Sequence, residues 1–222
     1  MTTTPQSVAQ DPWEAAYSRF ETPEQEISKF MGRLRHAGAD NWPKESAVVE
    51  LFCGRGNGLH ALVRLGFRNI QGVDLSPRLL QQYTGPAKTT VADCRQLPFS
   101  DHSQDIAIVQ GGLHHLPTLP EDLDQCLREI RRVLQPNGRA MFVEPWNTPF
   151  LRIVHALCNN SLARKCSAKL DALATMIDHE RTTYEQWLTQ PHVILRVVEK
   201  YFAPEQQSFA WGKWNFLGRP RP

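Results

Sequence analysis

Between Val48 and Asp74 the chain reads Val-Val-Glu-Leu-Phe-Cys-Gly-Arg-Gly-Asn-Gly, then a short helical stretch, then Ile-Gln-Gly-Val-Asp. The apolar run Val48 to Leu51 leads into a turn where Gly54, Gly56 and Gly58 leave the backbone uncovered. A helix is expected from Asn57 to about Leu65, with Gly66 at the left-handed position that ends it. Asp74 follows Gly54 by twenty residues, at the tip of a second apolar run. Bare N–H groups at such a turn meet one polar end of a ligand, and a carboxylate on the next strand accepts from both hydroxyls of a ribose. The chemistry on offer is therefore the holding of a nucleoside. A dinucleotide site asks for a small third residue in Gly-x-Gly-x-x-Gly/Ala, and Leu59 is too large for that position.

A second group of reactive side chains stands later. His114 and His115 lie just past the apolar run Asp105 to Val109, and histidine titrates close enough to neutrality to act as a base. Glu144 ends the following strand, where ligands of open sheets gather. For the histidines the competing role is to cap the following turn. For Glu144 it is to bond loop N–H groups. His155, His179, Tyr184 and Trp187 stand near an acceptor pocket if the segment after Pro145 covers the site, and otherwise pack or face solvent.

Alternation of strands and helices from Ala47 to Val143 must position these groups, the pattern of a parallel sheet covered on both faces. Residues 1–10 are expected to be a disordered tail, and residues 11–46 two helices opened by Asp11-Pro12 and Thr22-Pro23. Residues 47–146 form the expected core, with a helix stripe of Leu123, Cys126, Leu127, Ile130, Val133 and Leu134. Residues 147–180 carry two successive amphipathic patterns and are read as a helical cap inserted over the sheet edge. Residues 181–222 complete the core with helices and a final antiparallel hairpin, Glu205 to Ala210 and Lys213 to Leu217, around Trp211-Gly212.

Taken in order, further blocks join the glycine turn: Val91-Ala92-Asp93-Cys94, Leu97-Pro98-Phe99, Gly111-Gly112-Leu113-His114-His115-Leu116 and Arg132-Val133-Leu134-Gln135-Pro136-Asn137-Gly138. Together they resemble class I S-adenosylmethionine-dependent methyltransferases of the type 11 branch, typified by the ubiquinone and menaquinone C-methyltransferases. The resemblance covers Val48 to Pro145, about two fifths of the chain. It implies an α/β fold, a doubly wound, mostly parallel seven-stranded Rossmann-like sheet, with an N-terminal helical segment and a helical insertion after strand 5. It implies S-adenosyl-L-methionine as cofactor, with Glu50, Gly54 and Gly56 at its amino-acid end. Asp74 would take the ribose diol, Leu75 would flank the adenine, Asp93 would accept from the adenine amine, and the Cys94 N–H would reach a ring nitrogen. Gln110 would begin the motif under the methionine moiety. Where the family usually has its first glycine this chain has Phe52, whose ring either faces the sulfonium or packs under the sheet. His114, His115 and Glu144 are the candidate catalytic groups.

Motifs of several subclasses are missing: no Asn-Pro-Pro-aromatic or Asp-Pro-Pro-aromatic turn follows the fourth strand, and no cysteine follows a proline. Paired acidic residues of metal-dependent catechol-type enzymes are not evident. A metal-free enzyme acting on an O, N or C atom of a small or lipidic molecule is expected; the alternatives are an RNA or protein methyltransferase, or a catalytically silent cofactor-binding partner. Composition agrees with a soluble globular protein: 222 residues, 41% hydrophobic, 22% charged, net charge +2. Residues 145–222 carry 10 Lys/Arg against 6 Asp/Glu, too few and too scattered for a nucleic-acid patch. No secretory signal is expected, no apolar run is long enough to span a membrane, and the five cysteines, at 53, 94, 126, 158 and 166, form no Cys-x-x-Cys pair. A cytoplasmic protein without structural metal is expected; oligomeric state is open.

Overall fold

The structure, a computed structural model, describes residues 12–222, so the expected tail and Asp11 lie outside the described residues. Helix α1 (Pro12–Phe20) is followed by α2 (Pro23–His36), whose start is a capping box: Thr22 accepts from the Gln25 N–H while Gln25 reaches back to the Thr22 N–H. Strand β1 (Ala47–Leu51), α3 (Asn57–Arg64), β2 (Asn69–Asp74), α4 (Pro77–Leu80), β3 (Lys88–Val91), β4 (Gln104–Gln110), α5 (Glu121–Val133) and β5 (Leu134–Pro145) then alternate. Helices α6 (Pro149–Cys158), α7 (Ser161–Cys166), α8 (Ala168–Thr189) and α9 (Pro191–Tyr201) come before β6 (Phe202–Ala210) and β7 (Lys213–Pro220).

Seven strands form one sheet in the order β3-β2-β1-β4-β5-β7-β6. The first five are parallel, and β7 runs antiparallel between β5 and β6. This is the doubly wound, mostly parallel architecture expected. Chain direction across the sheet reverses between β1 and β4, which opens a crevice at the carboxyl ends of those strands. Strand alternation divides the core: Val49, Leu51, Ala107 and Val109 face α5 and α9 on one side, while Val48, Ile106 and Ile108 face α2 and α3 on the other. Both central strands are therefore buried on two faces, which is why they read as nearly continuous apolar runs, β1 being broken by Glu50.

Two elements differ from expectation in extent. Strand β5 begins at Leu134, which the expected helix stripe included, with an irregularity in register where Gln104 and Ile106 meet it. Helix α8 runs without a break from Ala168 to Thr189, through residues 180 and 181 where the cap was expected to end. No Gly or Pro interrupts that span, and the Thr183 hydroxyl donates to the Glu180 carbonyl, 3.2 Å away, within the helix. Among the described residues no helix is long and apolar enough to cross a membrane.

Phe142 of β5 is fully buried and meets the rings of Phe202, Trp214 and Phe216, the last stacked at 5.5 Å. Truncating it leaves a cavity between β5, β6 and β7 that rigid strands cannot collapse. Phe142→Ala is expected to cost about 3–5 kcal/mol in urea denaturation. A loss below about 1 kcal/mol would show that this aromatic cluster is not part of the cooperative core.

Candidate functional site

Over the carboxyl ends of β1, β2 and β4 lies a cavity of about 610 Å³, within the range of small-molecule sites. The turn after β1 forms its floor. Phe52 begins that turn with φ 54°, a left-handed conformation that is costly for an aromatic residue and ordinary for glycine. Its ring lies against Gly112, where a Cβ would come within 2.4 Å of it. Phe52 thus lines the cavity while packing against the core.

Asp74, at the end of β2, accepts from the Gly54 N–H through Oδ2 (2.8 Å) and from the Ser76 N–H through Oδ1 (2.8 Å). A carboxylate has about four lone-pair positions, so each oxygen keeps one acceptor site. Asp93 is placed differently. Arg95 grips it through both Nε and Nη2, the latter at 2.6 Å, and Arg95 also reaches Asp122 at 2.6 Å. Hydrogen bonding to Arg95 outweighs burial and holds the Asp93 carboxyl below its ordinary pKa. Leu75 is 68% exposed on the cavity rim, whereas the Cys94 side chain is buried.

Glu50 of β1 is buried beneath Gly58: a Cβ there would come 1.9 Å from Oε1, so only glycine lets the helix pass over this carboxylate. Gln110 donates weakly to Glu50 Oε1 at 3.4 Å, while Glu50 Oε2 and Gln110 Oε1 have no partner among the described residues. Burial pushes the Glu50 carboxyl up to about 8. These are orphaned acceptors in a cavity wall. Gly54 lines the same wall, and Gly56 (φ 82°) opens α3.

Opposite them, Glu144 is fully buried at the end of β5. Its Oε1 accepts from the N–H groups of Gly112 and Leu113, both at 2.8 Å, and its Oε2 lies 2.7 Å from His114 Nδ1. An ionised carboxylate only accepts, so Nδ1 donates and the neutral ring carries its lone pair on Nε2. That nitrogen sits 3.7 Å from Glu180 Oε2 on α8. Burial opposes charge on His114, but the hydrogen bonds to Glu144 and Glu180 outweigh it and raise its pKa. Burial likewise opposes charge on Glu144, and the His114 bond outweighs it, keeping the carboxyl below its usual value. The His115 ring lies 4.1 Å from that of His114; burial, then its charged neighbour, push its pKa down to about 4. One ligand atom each from His114, His115 and Glu180 lie within 4.8 Å of one another, a spacing at which such groups can also share a metal ion.

Of the remaining candidates, Tyr184 lines the cavity, and His155 reaches its hydroxyl at 3.1 Å. Trp187 is core and donates to the Pro145 carbonyl, and His179 is exposed. Sequence reasoning missed the wall supplied by α1 and α2, including Tyr17, Phe20, Lys29 and Arg33, as well as Glu180 and Lys213. Glu26, Lys29, Phe30 and Arg33 share one face of α2 at helical spacing. Only the folded chain distinguishes such a stripe from a solvated face. Burial, then the nearby Arg33 charge, lower the Lys213 pKa to about 8.

Comparison with known proteins agrees with this geometry. A family model described as a methyltransferase domain matches residues 49–142. Demethylmenaquinone methyltransferase from Lactobacillus johnsonii is 32% identical over 127 residues, 52% of this chain and 48% of the relative. The 2-phytyl-1,4-naphtoquinone methyltransferase of Nostoc punctiforme is 34% identical over 130 residues, covering 52% and 54%. The chain spans about half the length of these curated relatives. A crystal structure from Pyrococcus horikoshii superposes with TM-score 0.70 at 18% identity, covering 95% of this chain and 99% of that one. A SAM-dependent methyltransferase from Methanosarcina mazei gives 0.57 at 16% identity, covering 83% and 96%. The glycine turn, the carboxylate at the end of β2 and the crevice between β1 and β4 all lie in or beside the segment that matches the methyltransferase-domain model.

Proposed function

We propose that this chain moves a methyl group from S-adenosyl-L-methionine to an O, N or C atom of a small or lipidic acceptor, using side-chain acid–base chemistry and no metal. The observation that carries this reading is Asp74, anchored by two backbone N–H groups with acceptor capacity left on both oxygens. The cavity residues suit the cofactor. Asp74 takes the ribose diol; Glu50 and Gln110, each with an orphaned buried oxygen, receive the ammonium of the methionine moiety. Gly54 leaves room beside it and Phe52 borders it, while Gly56, packed against the Tyr83 ring, turns the chain into α3; Leu75 flanks the adenine. Asp93 and the backbone of Cys94 form the adenine edge, the Asp93 carboxylate keeping little free acceptor capacity because Arg95 holds it.

Bound S-adenosylmethionine supplies a methyl group on a sulfonium, already activated for in-line displacement. The protein then mainly aligns and dehydrates the acceptor, and alignment contributes about 7–11 kcal/mol in favourable cases. Glu144 fixes the His114 tautomer, and Nε2 takes the acceptor proton, worth roughly 10²–10⁴-fold. His115, neutral beside it, keeps a second cation off this wall. Phe20, Phe30, Leu173, Met176 and Ile177 line the remaining space. They suit a flat, apolar acceptor, and the named quinone and naphthoquinone methyltransferases among the relatives support that class.

Calorimetry with S-adenosylhomocysteine tests the cofactor assignment. Asp74→Ala is expected to weaken binding by at least about tenfold, since hydrogen bonds to a charged group contribute about 1.5–3 kcal/mol each. Absence of binding heat from the wild type rejects the reading.

Glu50 makes a pH prediction. Its folded pKa, about 8, exceeds that of an unfolded glutamate, so burial of the protonated form gives stability that is complete below the unfolded pKa and lost as pH rises toward 8. Glu50→Gln should therefore melt higher than wild type at alkaline pH and close to it in acid. A ligand ammonium favours the ionised carboxyl, so wild-type affinity for S-adenosylhomocysteine should rise up to about pH 8 and then level off. A flat profile in the wild type contradicts the assigned role.

With a naphthoquinol acceptor, His114→Gln should lower kcat by roughly 10²–10⁴-fold and leave S-adenosylhomocysteine affinity unchanged. Wild-type turnover should rise with pH through the raised His114 pKa and be unaffected by a chelator. Inhibition by EDTA that zinc or manganese reverses would transfer the role to a metal on His114, His115 and Glu180.

A further inference from the structure

Six of the eight large apolar side chains most exposed among the described residues belong to α6, α7 and the β6–β7 hairpin: Phe150 (44%), Ile153 (62%), Leu157 (46%), Leu162 (71%), Phe209 (44%) and Trp211 (78%). On α6 they follow helical spacing, Phe150, Ile153 and Leu157, so they form one stripe. The β6–β7 hairpin joins that stripe. Trp211 and Gly212 at its tip both have positive φ, 52° and 74°, and the Trp211 ring meets Phe150 edge to face at 5.4 Å. The Gly212 N–H donates to Thr148 Oγ1 at 3.1 Å, which ties the hairpin tip to the cap of α6. A tight turn with two positive φ values favours Asn or Gly. Placing an exposed tryptophan there is costly and needs a reason outside the fold.

Charge supplies that reason. From Asn147 to Leu170 the chain has Arg152, Arg164, Lys165 and Lys169 and not one Asp or Glu. Arg164 pairs with Asp171 at 2.9 Å, while Arg152, Lys165 and Lys169 have no ion pair among the described residues. Aromatic and aliphatic side chains on one face, bordered by lysine and arginine, are the signature of a helix lying in a membrane interface. We propose that α6, α7 and the β6–β7 hairpin tip dock this protein on the surface of a bilayer bearing anionic lipids. A second copy of the chain fits worse, because symmetric pairing would set Arg152, Lys165 and Lys169, which have no ion pair among the described residues, against the same cations of the other copy. The face also adjoins the cavity: Lys213 follows the hairpin tip, and Leu173 and Ile177 of α8, against which α6 packs, line the cavity wall. A lipidic acceptor would reach the site without crossing water. The proposal stands on this surface alone and does not require the methyl-transfer reading.

Co-sedimentation of the full chain with vesicles of phosphatidylcholine, with and without phosphatidylglycerol, provides the test. The protein should pellet with the mixed vesicles and stay in solution with phosphatidylcholine alone, and added salt should release it. The double variant Trp211→Ser, Leu162→Ser and the charge variant Lys165→Glu, Lys169→Glu should each weaken binding by roughly tenfold or more. Circular dichroism melts should match wild type, since all four side chains are exposed. Wild type that ignores both vesicle types, or variants that bind as wild type does, overturns the proposal. So does a dimer by light scattering that Trp211→Ser dissolves, which would make this face a self-association surface. Calorimetry with S-adenosylhomocysteine on the same samples reads the cofactor site separately, so failure of one reading leaves the other visible.

Discussion

A single carboxylate joins the two halves of the crevice. Asp74 sits at the end of β2 and holds the Gly54 N–H of the turn leaving β1, while its other oxygen fixes Ser76 at the start of α4. That bridge adds to the turn's backbone hydrogen bonds, Cys53 N–H to the Val73 carbonyl at 3.1 Å and Gly56 N–H to the Cys53 carbonyl at 2.8 Å, in holding three residues with positive φ between Phe52 and Gly56. Two charge-assisted hydrogen bonds at 2.8 Å make the shape of the turn a property of the sheet rather than of the loop. The acceptor sites left over on Asp74 are then presented at a defined place, and preorganisation of this kind lowers what a ligand must spend on ordering.

Glu144 plays the matching part across the crevice. It is fully buried, yet ionised, because two N–H groups and His114 surround it. Removing one partner would leave an uncompensated buried charge, a strongly destabilising state. The cavity therefore has two kinds of carboxylate. Asp74 and Glu144 have their protein partners and hold loops in place. Glu50 lacks a full set and keeps its proton until something cationic arrives. Glu144 thus builds the site, Asp74 both builds it and keeps acceptor capacity for a ligand, and Glu50 waits for one.

Much of this was legible along the chain. The runs Val48 to Leu51 and Asp105 to Val109 could only be strands buried on both sides, and Thr22-Pro23-Glu24-Gln25 could only open a helix, because periodicity and capping are local properties. The spacing of Gly54 to Asp74 likewise spans one strand–helix–strand unit of fixed geometry. What stayed hidden depended on distance through space. Arg95 takes Asp93 and Asp122 together although 27 residues separate it from the latter. Lys29, Arg33 and Glu180 looked like ordinary charges on helix surfaces until α1, α2 and α8 were folded over the sheet.

The amino-acid sequence by itself determined the alternating architecture, the glycine turn and the acidic residue that follows it, since each rests on contacts between residues close in the chain. Only the tertiary structure decided which charges face the cavity, that Phe52 fits its left-handed position against the bare backbone of Gly112, and that the α6 stripe remains uncovered. Those outcomes depend on how distant elements pack, and burial and unsatisfied charge are set by every neighbour at once rather than by any one segment.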